Sequence, residues 1–406
     1  MVVGLDIGTT KICAVIAEMI EGEAPNVIGV GITPCVGLRK GVVVDLDSTT
    51  AAIKDAVQKA ERMAGEEVQS AVIGVTGEHI ACLNSRSVIA VNNPDHEIQQ
   101  HDLNRLLDTS KVIVLSPERE IIHAIPRWYS VDGQNGVHAP VGMHGARLEM
   151  ETHIVTGLSS FIQNVVKCVH IAGLSVDGTV LEPIAAGESV LVPAEKDLGV
   201  ILADIGGGTT DVAIYIDGEI YYSGVVPVGG NHVTRDIAIG LRADTKEAEN
   251  IKLNHGCAFN APGEEAAPFE VDGLGSAKPR LLPQKVLTQI IEPRMTELCM
   301  LILDHIEKAG CEGRLPAGLV FTGGGSRIKG LPELASRVTG LPSRVGKPSG
   351  LVGLVDAVGN PEYATAAGLV LFWNRYHGHV ADQIENKLFA GLFKRIKEFF
   401  TGFGRN

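Results

Sequence analysis

Two apolar runs open the chain, 2–7 and 12–18, separated by a short stretch of glycine, hydroxyls and lysine, and they read as the strands of a hairpin. Residues 27–32 and 41–44 continue as strands. A 3.6-residue period then takes over. Ile53, Ala56, Val57, Ala60 and Met63 fall on one helical face behind Ser48 or Thr49 as cap, and 68–75 returns to strand. From 77 to 157 the pattern changes: a strand at 88–91, a short helix at 99–108 and an extended segment at 120–129. Turns follow at Asp132-Gly133, Asn135-Gly136 and Pro140, then an alternation over 147–155 that suits an edge strand. Farther on, 174–176, 199–204 and 212–216 are strands, and 230–240 and 245–252 are helices. The stretch 256–280 is loop-rich, with glycines, prolines and acids, and 286–309 is a long helix that Pro293 should kink. A strand at 319–321 and a helix over 331–338 complete a pattern that predicts an α/β fold of two lobes.

One polar break is written twice, about 200 residues apart. Asp6-Ile7-Gly8-Thr9-Thr10-Lys11 and Asp204-Ile205-Gly206-Gly207-Gly208-Thr209-Thr210-Asp211 each join two apolar strands. A hairpin tip without side-chain bulk lets backbone N–H groups approach an anion closely. Two such tips facing one another would hold a polyphosphate between similar half-molecules. Asp6 and Asp204 beside them suggest a hydrated Mg²⁺ held by carboxylates and phosphate oxygens. Two further segments suit such a cleft. Glu182 opens a small-residue helix (Glu182-Pro-Ile-Ala-Ala-Gly187), where its carboxylate either orients an attacking water or only favours the helix N-terminus. Gly323-Gly324-Gly325-Ser326 ends a buried strand, either as a flat surface for a base or ribose or as an ordinary tight turn.

The last residues break from the rest. Five of the ten phenylalanines follow residue 388. At ~100° per residue, Leu388, Phe389, Leu392, Phe393, Ile396, Phe399, Phe400 and Phe403 occupy an arc of about 140°. Lys394, Arg395, Lys397 and Arg405 stand against Glu398 alone, inside a chain of net charge −13. A basic amphipathic helix too short to span a bilayer reads as an anchor on an anionic membrane surface; the alternative is a helix packed on the protein's own core. Residues 377–387 ahead of it read as a polar linker, in which His377 and His379 are solvated rather than metal ligands. The acidic balance argues against nucleic acid as a partner. Seven cysteines with no Cys-x-x-Cys pair suit reduced thiols in the cytoplasm. No signal peptide or spanning segment can be read, so the body of the protein is expected to be soluble.

These segments resemble, in order, the phosphate-1, connect-1, phosphate-2, adenosine and connect-2 motifs of the actin, Hsp70 and sugar-kinase ATPase superfamily, the last being Tyr363-Ala-Thr-Ala-Ala-Gly-Leu369. Gly229-Gly-Asn-His232, His255-Gly-Cys-Ala258, Ile290-Ile-Glu-Pro-Arg294 and Pro361-Glu-Tyr-Ala-Thr365 further resemble FtsA, the actin-like bacterial division family that ties the FtsZ ring to the membrane.

The resemblance implies an actin-like ATPase fold, two ribonuclease-H-like lobes around a nucleotide cleft. It implies a first lobe of 1–78, 158–196 and 362–376, an SHS2-like insertion at 79–157, and a second lobe of 197–226 and 301–361 with an outer part at 227–300. The tail, 388–406, would target the membrane. The insertion is then a module for polymer and partner contacts, or else a stabilising appendage. ATP and Mg²⁺ are the implied cofactors, with at most weak ATPase activity. Glu249 and Lys252, three apart on a helix, would reach ribose or adenine, or else form a surface ion pair. Implied partners are the FtsZ C-terminal peptide at 227–300, further copies of the chain and later division proteins, at the septal inner membrane. A pilus-assembly ATPase, which would lack the amphipathic tail, and a small-molecule kinase, which would need a general-base Asp in the first half, are the alternative readings.

Overall fold

The computed structural model describes residues 1–20, 22–259, 267–272 and 279–377. Two mixed sheets carry the same plan. In the first, strands Ser175–Leu181, Ser70–Val75, Val2–Ile7, Lys11–Glu18 and Asn26–Pro34 lie side by side, with Val352–Gly353 at the far edge. In the second the order is Ser343–Val345, Gly318–Thr322, Val200–Ile205, Thr210–Ile216 and Glu219–Val226. Each sheet pairs its first hairpin strand in parallel with one neighbour and antiparallel with its hairpin mate. The central strands are apolar on both faces because helices cover both. Residues of both sheets, of the helices Glu182–Val190 and Ala364–His377 and of the inserted strands share one core, which includes Val72, Val155, Leu181, Leu202, Ala213 and Leu369.

Those two helices cross at the junction of the lobes. A Cβ on Gly368 would lie 1.9 Å from the Ala185 carbonyl oxygen, so only hydrogen fits there. Gly4 is similar, 2.2 Å from the Ala366 carbonyl. Small residues here are required by backbone approach, not by turn geometry.

Inserted in the chain between the strand Ser70–Val75 and the helix Ser159–Ile171 is a separate antiparallel sheet, in the order Ala81–Ala90, Arg147–Leu158, Arg119–Val131, Gln134–Val137. Its own core contains Ile98, Leu106, Leu107, Val131, Leu148 and Met150, covered by the helix Gln100–Ser110.

Three expectations need correction. Residues 147–155 belong to a central strand, not an edge. Glu149 and His153 are buried there, and Glu151 half-buried, because other side chains supply partners. Arg86 and Arg147 hold Glu149, Arg127 holds Glu151, and Asn84 and Ser223 hold His153. The first long helix, Leu46–Ala64, is capped by Asp45, whose carboxylate accepts the Ser48 N–H at 3.1 Å. Thr49 is fully buried inside it, and Met63, placed by periodicity on the core face, is 53% exposed near the helix end. The long helix Gln284–Lys308 carries Pro293 inside it, as the sequence places it. Within 256–280, the short strand Phe269–Val271 pairs with Arg280–Leu282 and sends Phe269 and Val271 into the core, so that stretch is not surface loop alone.

Candidate functional site: two glycine tips across a cleft

The hairpins close in the same way. The Gly8 N–H donates to the Lys11 carbonyl at 3.0 Å, and the Gly206 N–H to the Thr209 carbonyl at 2.9 Å. Four residues thus make each tip, and the tips face one another. A Cβ on Gly207 would lie 2.3 Å from Thr10 Cγ2, and one on Gly208 would lie 3.0 Å from Thr9 Oγ1 and 3.2 Å from Lys40 Cα. Behind the second tip, the Gly230 and Asn231 N–H groups at the start of the helix Gly230–Leu241 donate to the carbonyls of Gly206 and Gly207 at 2.9 and 2.8 Å. That fixes the tip against a helix N-terminus, where backbone amides and the helix dipole favour an anion.

Carboxylates gather beneath the tips. Asp6, Asp204, Asp211 and Glu182 are each at least nine-tenths buried. Burial pushes the Asp6 carboxyl up to about 7; Lys11 pulls it down, and Asp204 adds to the rise. Burial likewise raises Asp204, against the Thr365 hydrogen bond and Lys11. Asp211 is pushed up to about 8 by burial, with Asp204 and Asp6 adding, although the Thr76 hydroxyl donates to it across the lobes. Glu182 is raised well above the carboxylate range by burial and by Asp6, Asp211 and Asp204. Negative groups concentrated this way in low dielectric ask for a cation. Among the described residues no three His, Cys, Asp or Glu side chains converge closely enough to ligate a bare metal ion. An ion held through its own waters by two carboxylates fits that donor set better.

The third glycine segment meets the same carboxylates. Gly323 takes φ +78°, and a Cβ there would lie 2.1 Å from Asp204 Oδ1 and 2.6 Å from the Ile205 carbonyl. Gly324, by contrast, has nothing nearer than 3.9 Å to such a Cβ, so its face is open. Ser326 closes the turn on the Gly323 carbonyl at 2.7 Å. The turn is 3₁₀ over Gly324–Arg327, and the longer helix starts only at Leu331.

Lys252 is buried to nine-tenths of its side chain and donates to Glu249 Oε2 at 2.7 Å, Thr234 Oγ1 at 2.8 Å and the Gly230 carbonyl at 3.2 Å. The Glu249–Lys252 pair therefore braces the helix start behind the second tip. Lys11 reaches sideways to the Glu362 carbonyl and lies 5.4 Å from the centre of the Tyr363 ring. The structure thus gathers Asp6, Gly8–Lys11, Glu182, Asp204, Gly206–Thr210 and Gly323–Ser326 around one cleft, with Glu249 and Lys252 at its rim. The basic and aromatic tail residues, Phe389 to Phe403, lie outside the described residues.

Three residues of this site had no role in the sequence reading: Asp211, Thr76 and Thr365. Thr365 Oγ1 donates to Asp204 Oδ2 at 2.7 Å from the other lobe. Asp211 was legible in principle. In hairpin register it pairs with Asp204, as Cys13 pairs with Asp6, so the second hairpin carries one carboxylate more than the first.

Two lobes of one plan, closing glycine tips and carboxylates on each other, define an actin-like nucleotide-binding protein. Among solved structures, the PilM-PilN type IV pilus biogenesis complex superposes with a TM-score of 0.66 at 16% identity, covering 91% of this chain and 98% of that one. MreB5 of Spiroplasma citri bound to ADP gives 0.57 at 15% identity, covering 94% and 98%. At such identities both likenesses speak for the fold alone. Sequence matches decide the family. "Cell division protein FtsA" matches residues 201–368, and "SHS2 domain inserted in FTSA" matches 77–156. The FtsA of Pseudomonas aeruginosa is 41% identical over 372 residues, 92% of this chain and 89% of that protein. That of Escherichia coli K12 is 36% identical over 404 residues, 98% and 96% of the two chains. That of Bacillus subtilis is 37% identical over 370 residues, 91% and 82%. The chain belongs to the FtsA family of bacterial cell division proteins, not to the pilus-assembly or small-molecule kinase branches of the same fold.

Proposed function

We propose that the chain binds Mg-ATP in this cleft, assembles head to tail with further copies of itself, and ties FtsZ filaments to the cytoplasmic face of the inner membrane at the septum. The observation that carries the nucleotide reading is the contact of two bulk-free tips above buried Asp6 and Asp204. In this reading backbone amides of Gly8–Lys11 and Gly206–Thr209 grip phosphates, and Gly323–Ser326 lies along the nucleoside. Asp6 and Asp204 hold Mg²⁺ through water, and the ion neutralises phosphate charge there. Glu249 and Lys252 face the ribose. Glu182, whose Oε1 is buried with no hydrogen-bond partner, is the group that orients water, and ATPase activity is at most weak.

We assign residues 1–78, 158–196 and 362–376 to one lobe, 79–157 to the insertion, 197–226 and 301–361 to the other lobe and 227–300 to its outer part. The separate hydrophobic core of the inserted sheet supports this division. The outer part docks the FtsZ C-terminal peptide, and the insertion meets neighbouring copies or later division proteins. No described helix is long and apolar enough to cross a membrane. The basic amphipathic residues 388–406 serve as a peripheral anchor, weak singly and avid in a polymer.

The test is cosedimentation of the full-length protein with anionic vesicles and FtsZ, with and without Mg-ATP. The reading predicts that FtsZ pellets with vesicles only when this protein is present, and more when Mg-ATP is added. FtsZ that pellets equally without it would remove the anchoring role.

A further inference from the structure

We propose that Lys40, at the tip of a third hairpin, supplies the positive charge that holds the terminal phosphate of ATP, and that the phosphate takes it from Glu78. This rests on the nucleotide-binding reading above and names a residue that reading does not use.

The strands Leu38–Arg39 and Val42–Val43 pair with Arg39 opposite Val42, so Lys40 and Gly41 alone make the turn. Both take positive φ, +51° and +76°, as a two-residue hairpin turn of the primed kind requires. Glycine is at ease there and lysine is not. Strain of this kind persists where surrounding contacts impose it, and it gathers at ligand sites. Here the contacts come from the two glycine tips. The Gly41 N–H donates to Thr9 Oγ1 at 3.1 Å, and ahead of the hairpin the Cys35 N–H donates to the Thr10 carbonyl at 2.9 Å. On the other lobe, a Cβ on Gly208 would lie 3.2 Å from both the backbone nitrogen and the Cα of Lys40. Gly41 is also packed from behind, since a Cβ there would lie 3.0 Å from the Thr76 carbonyl oxygen and from Gly77 Cα. The third tip is thus wedged where the first two meet, and it brings a lysine there.

Charge gives that lysine its role. Asp6, Glu182, Asp204 and Asp211 are buried beneath the tips, and Lys11 reaches sideways to the Glu362 carbonyl and the Tyr363 ring. Backbone amides offer a phosphate partial positive charge only, whereas a lysine ammonium offers a full one. Lys40 Nζ pairs with Glu78 Oε1 at 2.6 Å, and the two side chains are 42% and 49% exposed. An ion pair so open to water is weak, and a phosphate carries more negative charge than the carboxylate it would replace. The flexible four-carbon stem of lysine starts here from a Cα that already lies against Gly208. The ammonium can therefore leave Glu78 and meet a phosphate seated on that tip. Contact with both tips singles out the phosphate that both lobes grip, the terminal one, so Lys40 should tell ATP from ADP.

Full-length Lys40→Gln, Lys40→Gly and Glu78→Gln should be compared with the wild type for Mg-ATP and Mg-ADP affinity by titration calorimetry. Both Lys40 variants should lose roughly tenfold or more in ATP affinity and less than about threefold in ADP affinity. Lys40→Gly removes the charge while easing the positive φ, so it should melt no lower than the wild type and still bind ATP poorly. If Lys40→Gln melts early, Lys40→Gly decides. Glu78→Gln removes the competing carboxylate and should bind ATP as tightly as the wild type or up to about fivefold more tightly. A pair that merely holds the loop together would instead make Glu78→Gln fail as Lys40→Gln does. Unchanged ATP affinity in Lys40→Gly, ATP and ADP affinity falling together, weaker ATP binding in Glu78→Gln, or a wild type that binds ATP and ADP equally would each overturn the inference. A wild type that binds neither nucleotide would instead sink the cleft reading itself.

Discussion

Between Gly207 and Thr10 the lobes approach so closely that the glycine's missing side chain is what admits the contact. Gly207→Val should force the tips apart and abolish binding of a fluorescent ATP analogue while circular dichroism stays unchanged. Undiminished affinity in that variant would take the tips out of the binding site. Protons make a second prediction at this scale. In an unfolded chain Asp6 and Asp211 ionise near 3.8, but in the fold they keep their protons to about 7 and about 8. Between those limits the unfolded chain has released protons that the folded chain still binds, so stability falls as pH rises. Buried His123 and His153, held down to about 4 and about 3, act in the opposite sense only below 6.5. The nucleotide-free melting temperature should therefore decline from pH 6.5 to 8. Asp211→Asn should flatten the decline, and so should excess Mg-ATP. Scanning fluorimetry across that window checks it, and a melting temperature rising with pH would contradict the buried-carboxyl account.

Helices and strands here answer to partners as much as to their own sequence. The helix Leu46–Ala64 begins where Asp45 caps it and ends at Gly65, which takes φ +75°, as local chemistry requires. The crossing of Glu182–Val190 with Ala364–His377 depends instead on Gly368 meeting the Ala185 carbonyl. Gly368→Val should push these helices apart, and overpacking of this kind costs about 1–3 kcal/mol. Urea unfolding measures it. Because the crossing lies at the junction of the lobes, Mg-ATP should also stabilise the variant less than the wild type. A variant as stable as the wild type would mean that the crossing tolerates separation.

For the whole molecule, the proposed function predicts that the cleft and the tail act separably. Burying one Phe is worth roughly 1.5–3 kcal/mol and each Lys or Arg beside an anionic surface about 1 kcal/mol, while ordering the helix offsets much of the sum. Single chains should therefore bind vesicles reversibly and assemblies far more tightly. Phe400→Glu sets a charge in the middle of the apolar arc and should release the protein from anionic vesicles without changing ATP affinity. Vesicle flotation decides this. Protein truncated after Asn386 that floats as well as the full chain would rule the tail out as anchor.

The sequence alone determined the duplicated hairpins, the glycine tips, the helix that starts at Glu182 and the amphipathic character of 388–403. Each rests on short-range chemistry: strand alternation, absent Cβ atoms, helical spacing. Tertiary structure decided what those signals leave open. The strand Arg147–Leu158 looked like an edge because its charges alternate, but Arg86, Arg127, Asn84 and Ser223 bring partners from elsewhere and allow it to lie in the middle. Lys252 became a buried brace, with the more exposed Glu249 beside it, only because Thr234 and Gly230 accept its protons. Thr76 and Thr365 carry no signal of their own, since a lone threonine gains meaning only from the carboxylate it faces, here 135 and 161 residues away along the chain. Spacing along the chain reports which face a residue shares with its near neighbours. Which distant group closes on that face is set by how the two lobes pack.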